Sequence, residues 1–179
     1  MRATCALAFS FVITVAVVSP VAAAGPWNAQ VVDAETGQPL DGVVVLAFWT
    51  RSTATLGGWA ETRYHVSEEV VTGSDGRFTI SARWSYTIPM FTKVAGPEWV
   101  IFKPGYGQWR FRPGIEAWDT FDRGEPAVIE LPPLKTREER LHFYRSPSFR
   151  YPWTVPPNRQ EHFREAENVE RAYLGLSDR

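Results

Sequence analysis

The sequence predicts a mainly β protein, a sandwich of about seven short strands closed by a C-terminal extended strap and one amphipathic helix. Three observations carry that expectation. From Trp27 to Leu131, short apolar runs alternate with turns rich in Gly, Pro and Asp at intervals of ~8–15 residues. No helical period separates those runs, so the sheets are expected to cover each other rather than be covered by crossover helices. After Leu131 the chain becomes rich in arginine, proline and aromatic residues, and it ends in a helical period. A length of 179 residues suits one such domain.

The chain opens with Met1-Arg2, a minimal positive start. Cys5 to Val18 is an apolar run broken only by Ser10 and Thr14, and Ser19-Pro20 ends any helix there. Ala22-Ala23-Ala24 supplies the small residues a signal peptidase accepts. This pattern predicts a secretory signal peptide over residues 1–24, cleaved between Ala24 and Gly25. The apolar run is shorter than the ~20 residues of a membrane span, which favours cleavage over a retained anchor. The expected mature chain lies in the periplasm or outside the cell, has no further transmembrane span and contains no cysteine.

The first strand is expected at Gln30-Val31-Val32. The connection from Asp33 to Gly42 follows, with Gly37 and Gly42 suited to positive φ and Pro39 unable to donate to a ladder. Val43 to Trp49 is a continuous apolar run whose adjacent valines favour a buried strand. Glu68 to Thr72 and Arg77 to Ile80 flank Gly73-Ser74-Asp75-Gly76, which reads as a hairpin turn. Trp99 to Phe102, Gln108 to Arg112 and Ala127 to Leu131 complete the strands. Residues 25–134 thus form the expected sandwich and residues 135–179 the strap and helix.

Within the second part, Thr136-Arg137-Glu138-Glu139 has capping-box spacing and predicts one or two helical turns through Leu141. Ser146 to Pro157 holds four prolines and is expected to be extended. Asn158 to Leu174 is the expected helix, stopped by Gly175. Phe163, Ala166, Val169, Ala172, Tyr173 and Leu176 recur at spacings of three and four, so this face is expected to dock on the sandwich.

Val32-Asp33, Thr36-Gly37, Pro39-Leu40, Gly42-Val43 and Val45, then Thr72, Asp75-Gly76 and Phe78, resemble the carboxypeptidase regulatory-like domain. Lys103-Pro104-Gly105-Tyr106 resembles a late strand-to-turn segment of its bacterial secreted members. The resemblance spans roughly Gln30 to Leu131 and implies a transthyretin-like (prealbumin-like) Greek-key sandwich. In carboxypeptidases this domain is a non-catalytic companion, and the matching positions specify turns and strands rather than chemistry.

Composition narrows the function classes. An apolar content of 44% excludes a disordered chain, and a single cysteine excludes a disulfide framework. A formal charge of −1 argues against a strongly electrostatic partner such as duplex nucleic acid. Residues 25–131 carry 9 basic and 13 acidic side chains, whereas residues 132–179 carry 9 and 7. The strap arginines 137, 140, 145 and 150, interleaved with Phe143, Tyr144, Phe149, Tyr151 and Trp153, are therefore expected to pair with the acidic sandwich while the aromatics pack on it.

Catalytic patterns are weak. Hydroxyisourate hydrolase, a transthyretin-like enzyme, ends in Tyr-Arg-Gly-Ser; Tyr144-Arg145-Ser146 lacks the glycine and no histidine precedes His65. An iron site of the dioxygenase type would draw on Tyr64, His65, His142 and Tyr144, but neighbours on one strand point to opposite faces. Ser52, Ser85 and Ser148 lack a strand-turn-helix context. Glu116, Asp119, Asp122 and Glu125 recur every third residue without calcium-loop spacing. No catalytic residue, metal ligand or cofactor is assigned.

The expected role is a non-catalytic, exported binding domain for another exported protein or a cell-envelope component, without nucleic acid. One alternative is a carbohydrate-binding module using exposed tryptophans, with Trp59 and Trp84 near loops and Trp109 near a turn as the stacking platform; His65 is a further candidate binding residue. A second alternative is a metal-dependent enzyme centred on His65 or His142.

Overall fold

The computed structural model describes residues 25–55, 57–59, 62–82, 91–109 and 127–177. These residues form six strands of four residues or more in two sheets, one two-residue strand and two α-helices. The first sheet has β1 (Trp27–Asp33) at its centre. It pairs antiparallel with β5 (Arg77–Ile80) and parallel with β7 (Ala127–Leu131). The second is built on β2 (Val44–Thr55), flanked by antiparallel β4 (Arg63–Val71) and β6 (Thr92–Phe102). The short β3 (Gly58–Trp59) pairs with the far end of β2 at Ala54 and Thr55.

The sheets face each other across one core. Trp27, Ala29 and Val31 of β1, Phe78 and Ile80 of β5, and Ile129 and Leu131 of β7 meet Val45, Ala47 and Trp49 of β2 and Trp99 and Ile101 of β6. Alternation along each strand places these residues on one side. Trp27 is central, its ring 5.7 Å from Trp49 and 5.8 Å, edge-on, from Trp99.

The opposite face of the second sheet is also covered. Val44, Leu46 and Phe48 of β2 and Val100 and Phe102 of β6 pack against Val155, Phe163 and Ala166, with Phe149 and Tyr151 alongside. Burial on both faces explains why Val44 to Trp49 is continuously apolar rather than alternating. Three layers result: sheet, sheet, then strap and helix.

That third layer holds α1 (Arg137–Arg145), a 3₁₀ turn (Pro157–Arg159) and α2 (Glu161–Leu174). The capping box at Thr136 is formed, with the Glu139 amide donating to Thr136 Oγ1 at 3.1 Å and the Thr136 amide donating to Glu139 at 3.1 Å. The helix continues past Leu141 to Arg145. The C-terminal helix starts three residues later than Asn158, because the chain after Pro156-Pro157 first makes the 3₁₀ turn. Glu69 of β4 accepts from the amides of His162 and Phe163 at 3.0 and 2.7 Å, so a carboxylate from the sheet caps α2. Gly175, at φ 72°, ends it as expected.

Three sequence expectations need correction. The segment Gly73 to Gly76 does not make a hairpin: β4 pairs with β2 and β5 pairs with β1, so the turn carries the chain from one sheet to the other. Its residues are held by β1 instead, the Val31 amide donating to Gly76 O at 2.8 Å. Gln108 and Trp109 are not in a strand; the Gln108 side chain is used to hold the strap, and 110–112 lie outside the described residues. The buried face of α2 is Phe163, Ala166, Glu167, Glu170 and Leu174, while Val169 and Tyr173 are about half exposed. Two paired glutamates turn inward, which rotates the helix away from the face that apolar spacing alone selects.

Gly76 is a place where glycine is required. Its φ is 68°, and an added Cβ would lie 2.5 Å from Val31 O. Gly37 shares the positive φ at 69° but has open space around it. Gly37→Ala is expected to cost about 1–2 kcal/mol from the left-handed backbone alone. Gly76→Ala adds a backbone clash, so its midpoint in chemical denaturation should fall further; equal losses would contradict this packing.

Candidate functional site

Of the positions that carry the resemblance, Leu40, Val43, Val45 and Phe78 lie in the core, and the polar ones hold loops at the ends of the strands. Asp33 Oδ1 accepts from the amides of Glu35 and Thr36 at 2.8 and 2.9 Å, and Asp33 Oδ2 accepts from the Tyr106 hydroxyl at 3.0 Å. Thr72 Oγ1 accepts from the Val43 amide at 3.0 Å and donates to Leu40 O at 2.7 Å. Asp75 accepts from the Arg77 amide at 3.0 Å. Each is a turn lock.

The Asp33 lock makes stability depend on acid pH. The Thr36 amide, aided by the Glu35 amide and Tyr106 hydroxyl and opposed by burial, holds the Asp33 carboxyl below its ordinary 3.8. A folded-state value below the unfolded one stabilises the fold above the unfolded pKa, and the gain is lost as pH falls through the folded value. Asp33→Asn should therefore lower the melting temperature at about pH 7, with the gap from the native chain closing below about pH 4. A gap that stays constant down to about pH 2 would contradict this assignment.

A second polar set joins the two helices to the sheet. Arg140 forms a two-pronged ion pair with Glu170, its Nε donating at 2.8 Å, and the Gly105 amide donates to the same carboxylate at 2.9 Å. The Arg140 guanidinium also lies 3.6 Å above the Tyr173 ring. Tyr144 donates to Glu167 at 2.5 Å and accepts from Arg171 at 2.7 Å. Burial, then the Glu167 hydrogen bond, pushes the Tyr144 hydroxyl above its ordinary value. Arg137 donates to Leu174 O at 2.5 Å. The strap arginines Arg137 and Arg140 thus pair with α2, not with the acidic sandwich surface. The strap aromatics Phe149 and Tyr151 do pack on the sheet.

The residues singled out from the sequence are dispersed. Trp59 lies on β3 opposite Ala54, and Trp84 lies outside the described residues. His65 is exposed on β4 at a register shift, between the Trp49–Val66 and Thr50–Tyr64 pairs. Tyr64 packs toward the strap layer and its hydroxyl lies 3.1 Å from Ser67 Oγ. His142 is exposed on α1, and Tyr144 is engaged with α2. Ser52 Oγ is 3.1 Å from Thr62 Oγ1, Ser148 sits in the strap and Ser85 is outside the described residues. Glu116, Asp119, Asp122 and Glu125 are also outside them. Among the described residues, no three His, Cys, Asp or Glu side chains are placed to hold a metal ion. None of the described helices is long and apolar enough to cross a membrane.

The structure gathers four strap residues named from the sequence, Phe149, Arg150, Tyr151 and Trp153, around a cleft. It has a volume of about 330 Å³ and lies between the end of β6 and the strap. Phe48, Glu98, Trp99 and Val100 line it from the sheet, and Phe149 to Thr154 line it from the strap. Trp153 is 73% exposed, and its ring lies 4.3 Å from that of Tyr151 at 45°. Glu98 and Arg150 are exposed and of opposite charge.

Local structure explains why the cleft is there and why it is fixed. Gly96 allows β6 to approach β2 closely, since a Cβ there would lie 2.9 Å from Phe48 O. The β2–β6 register shifts between Phe48 and Thr50, and the shift leaves Glu98 opposite Phe48 at the cleft. On the other side the buried Gln108 makes two bonds with the strap backbone. Its Nε2 donates to Arg150 O at 3.0 Å and its Oε1 accepts from the Arg150 amide at 2.7 Å. Trp153 N–H donates to Tyr151 O at 2.9 Å, and Val155 N–H donates to Pro152 O at 2.9 Å. Comparisons with protein-family models, with curated proteins and with solved structures gave no match to this chain.

Proposed function

We propose that the protein is an exported, non-catalytic binding domain whose ligand or partner, an envelope component or another exported protein, enters the cleft between β6 and the strap. The observation that carries this reading is the cleft itself: a hollow whose lining includes an exposed tryptophan and two residues of opposite charge. Sites of this size with a few polar groups among aromatic side chains are the usual form of a binding pocket. The leader-like residues 1–24 support export.

The same proposal takes the sheets as a transthyretin-like Greek-key sandwich of the carboxypeptidase regulatory-like kind. The chain changes sheet between β1 and β2, β4 and β5, β5 and β6, and β6 and β7, which supports that topology. The interlocking of Asp33, Thr72, Asp75 and Tyr106 supports a structural role for the resembling positions.

The experiment is site-directed photocrosslinking in the producing cells, with a photoreactive phenylalanine analogue at position 153 and, as control, at position 169. A crosslinked species at 153 that is absent at 169, on a chain beginning at Gly25, is the expected result. Equal labelling at both positions would overturn the cleft as the site. Turnover of a substrate that is lost on changing one cleft residue without unfolding would overturn the non-catalytic reading.

A further inference from the structure

We infer that the cleft takes a neutral pyranose unit of a glycan, an inference that rests on the binding-domain reading above. The volume of about 330 Å³ stands at the small end of ligand sites, ~300–1,000 Å³, and suits one or two sugar rings rather than a folded partner. The Tyr151 and Trp153 rings, inclined at 45° to each other, make an angled aromatic wall. Such a wall offers an apolar plane to the C–H face of a pyranose, and the exposed indole loses little by being covered.

The charges select a neutral polyol. The Glu98 carboxylate accepts hydrogen bonds from hydroxyls, and the Arg150 guanidinium has the donors for two neighbouring oxygens. Together the two lining charges sum to zero, so the cleft offers no net attraction to an anion or a cation. A ring bearing adjacent hydroxyls satisfies both, and Thr154 adds a group that donates and accepts. An extended peptide fits less well. The N–H and C=O of Arg150 are held by Gln108, and the N–H groups of Trp153 and Val155 are held within the strap. The strap backbone is therefore poorly placed to pair with an incoming main chain.

The test titrates the full purified chain with cellotetraose, chitotetraose, maltotetraose and xylotetraose, followed by tryptophan fluorescence and calorimetry. At least one of them is expected to bind, with affinity falling about tenfold or more in Trp153→Ala. The same loss is expected in Glu98→Gln, and the melting temperature of both variants should match the native chain. No binding of any of the four, or binding that Trp153→Ala leaves unchanged, overturns the neutral-sugar assignment. Binding of heparin or of a proline-rich peptide that Trp153→Ala abolishes, with no sugar bound, overturns that assignment and upholds the binding-domain reading. A chain that binds none of these probes and gives no specific crosslink at position 153 overturns both.

Discussion

Replacing Phe163 with alanine is expected to cost about 3–5 kcal/mol of stability, the range for truncating a fully buried aromatic side chain. The Phe163 side chain is 0% exposed and joins the third layer to the sheet. Its ring lies 5.7 Å from Phe102 of β6, 6.3 Å and nearly parallel to Phe149, and 5.5 Å edge-on from Tyr151. Removing it opens a void where two strap aromatics and one strand aromatic converge, and helix, strap and sheet cannot all close on it at once. Val169→Ala is the control: Val169 is 55% exposed on the other side of the same helix and should change stability by less than about 0.5 kcal/mol. Urea unfolding of the two variants checks both figures. A Phe163→Ala loss as small as that of Val169→Ala would mean that α2 stands off the sheet.

The second large effect comes from Glu170. Its side chain is 5% exposed and that of Arg140 is 13%, so the pair is largely withdrawn from water. Glu170→Ala leaves the guanidinium without its counter-charge and the Gly105 amide without its acceptor. Breaking one partner of a buried pair costs about 3–5 kcal/mol, whereas replacing both with apolar side chains of similar volume is often neutral. The double variant Glu170→Met, Arg140→Met should therefore recover most of the loss seen in Glu170→Ala. A double variant no more stable than the single one would show that the carboxylate acts through Gly105 and the turn rather than through the ion pair. Because Gly105 follows directly from the end of β6, this pair ties the second sheet to both helices at one point.

The parts of the fold that follow from local rules were legible in the sequence. The bounds of β5 and β7, the capping box at Thr136, the αL stop at Gly175 and the burial of Phe163 all rest on turn chemistry or short-range periodicity. The failures lie where tertiary pairing decides. Gly73 to Gly76 has the residues of a tight turn, and a tight turn within a sheet and one between sheets ask for the same φ angles. Which it becomes is set by the docking of Gly76 against Val31, some 45 residues earlier in the chain. On α2, Glu167 and Glu170 read as solvent-facing because charge is costly to bury. They are buried because Tyr144, Arg171, Arg140 and the Gly105 amide stand ready to satisfy them.

The candidate site followed the same division. Trp59 and Trp84 stand out in the sequence as tryptophans near loops and His65 as a histidine, and type says nothing about convergence. The cleft is assembled from residues 48, 98–100 and 149–154, segments far apart in sequence that the pairing of β6 with β2, the packing of Phe149 and Tyr151 and the Gln108–Arg150 bonds bring together. Its most exposed aromatic, Trp153, sits in a strap whose other aromatics, Phe149 and Tyr151, do face the core.

A fixed third layer is what turns the face of the second sheet into a cleft, and native-state hydrogen exchange tests that most directly. The amides of Arg150, His162 and Phe163, held by Gln108 and Glu69, are expected to exchange only with global unfolding, at free energies equal to that of Leu46 in β2. Exchange of those three amides through a much cheaper local opening, while Leu46 stays protected, would show a strap and helix that detach from a self-sufficient pair of sheets and would contradict the account.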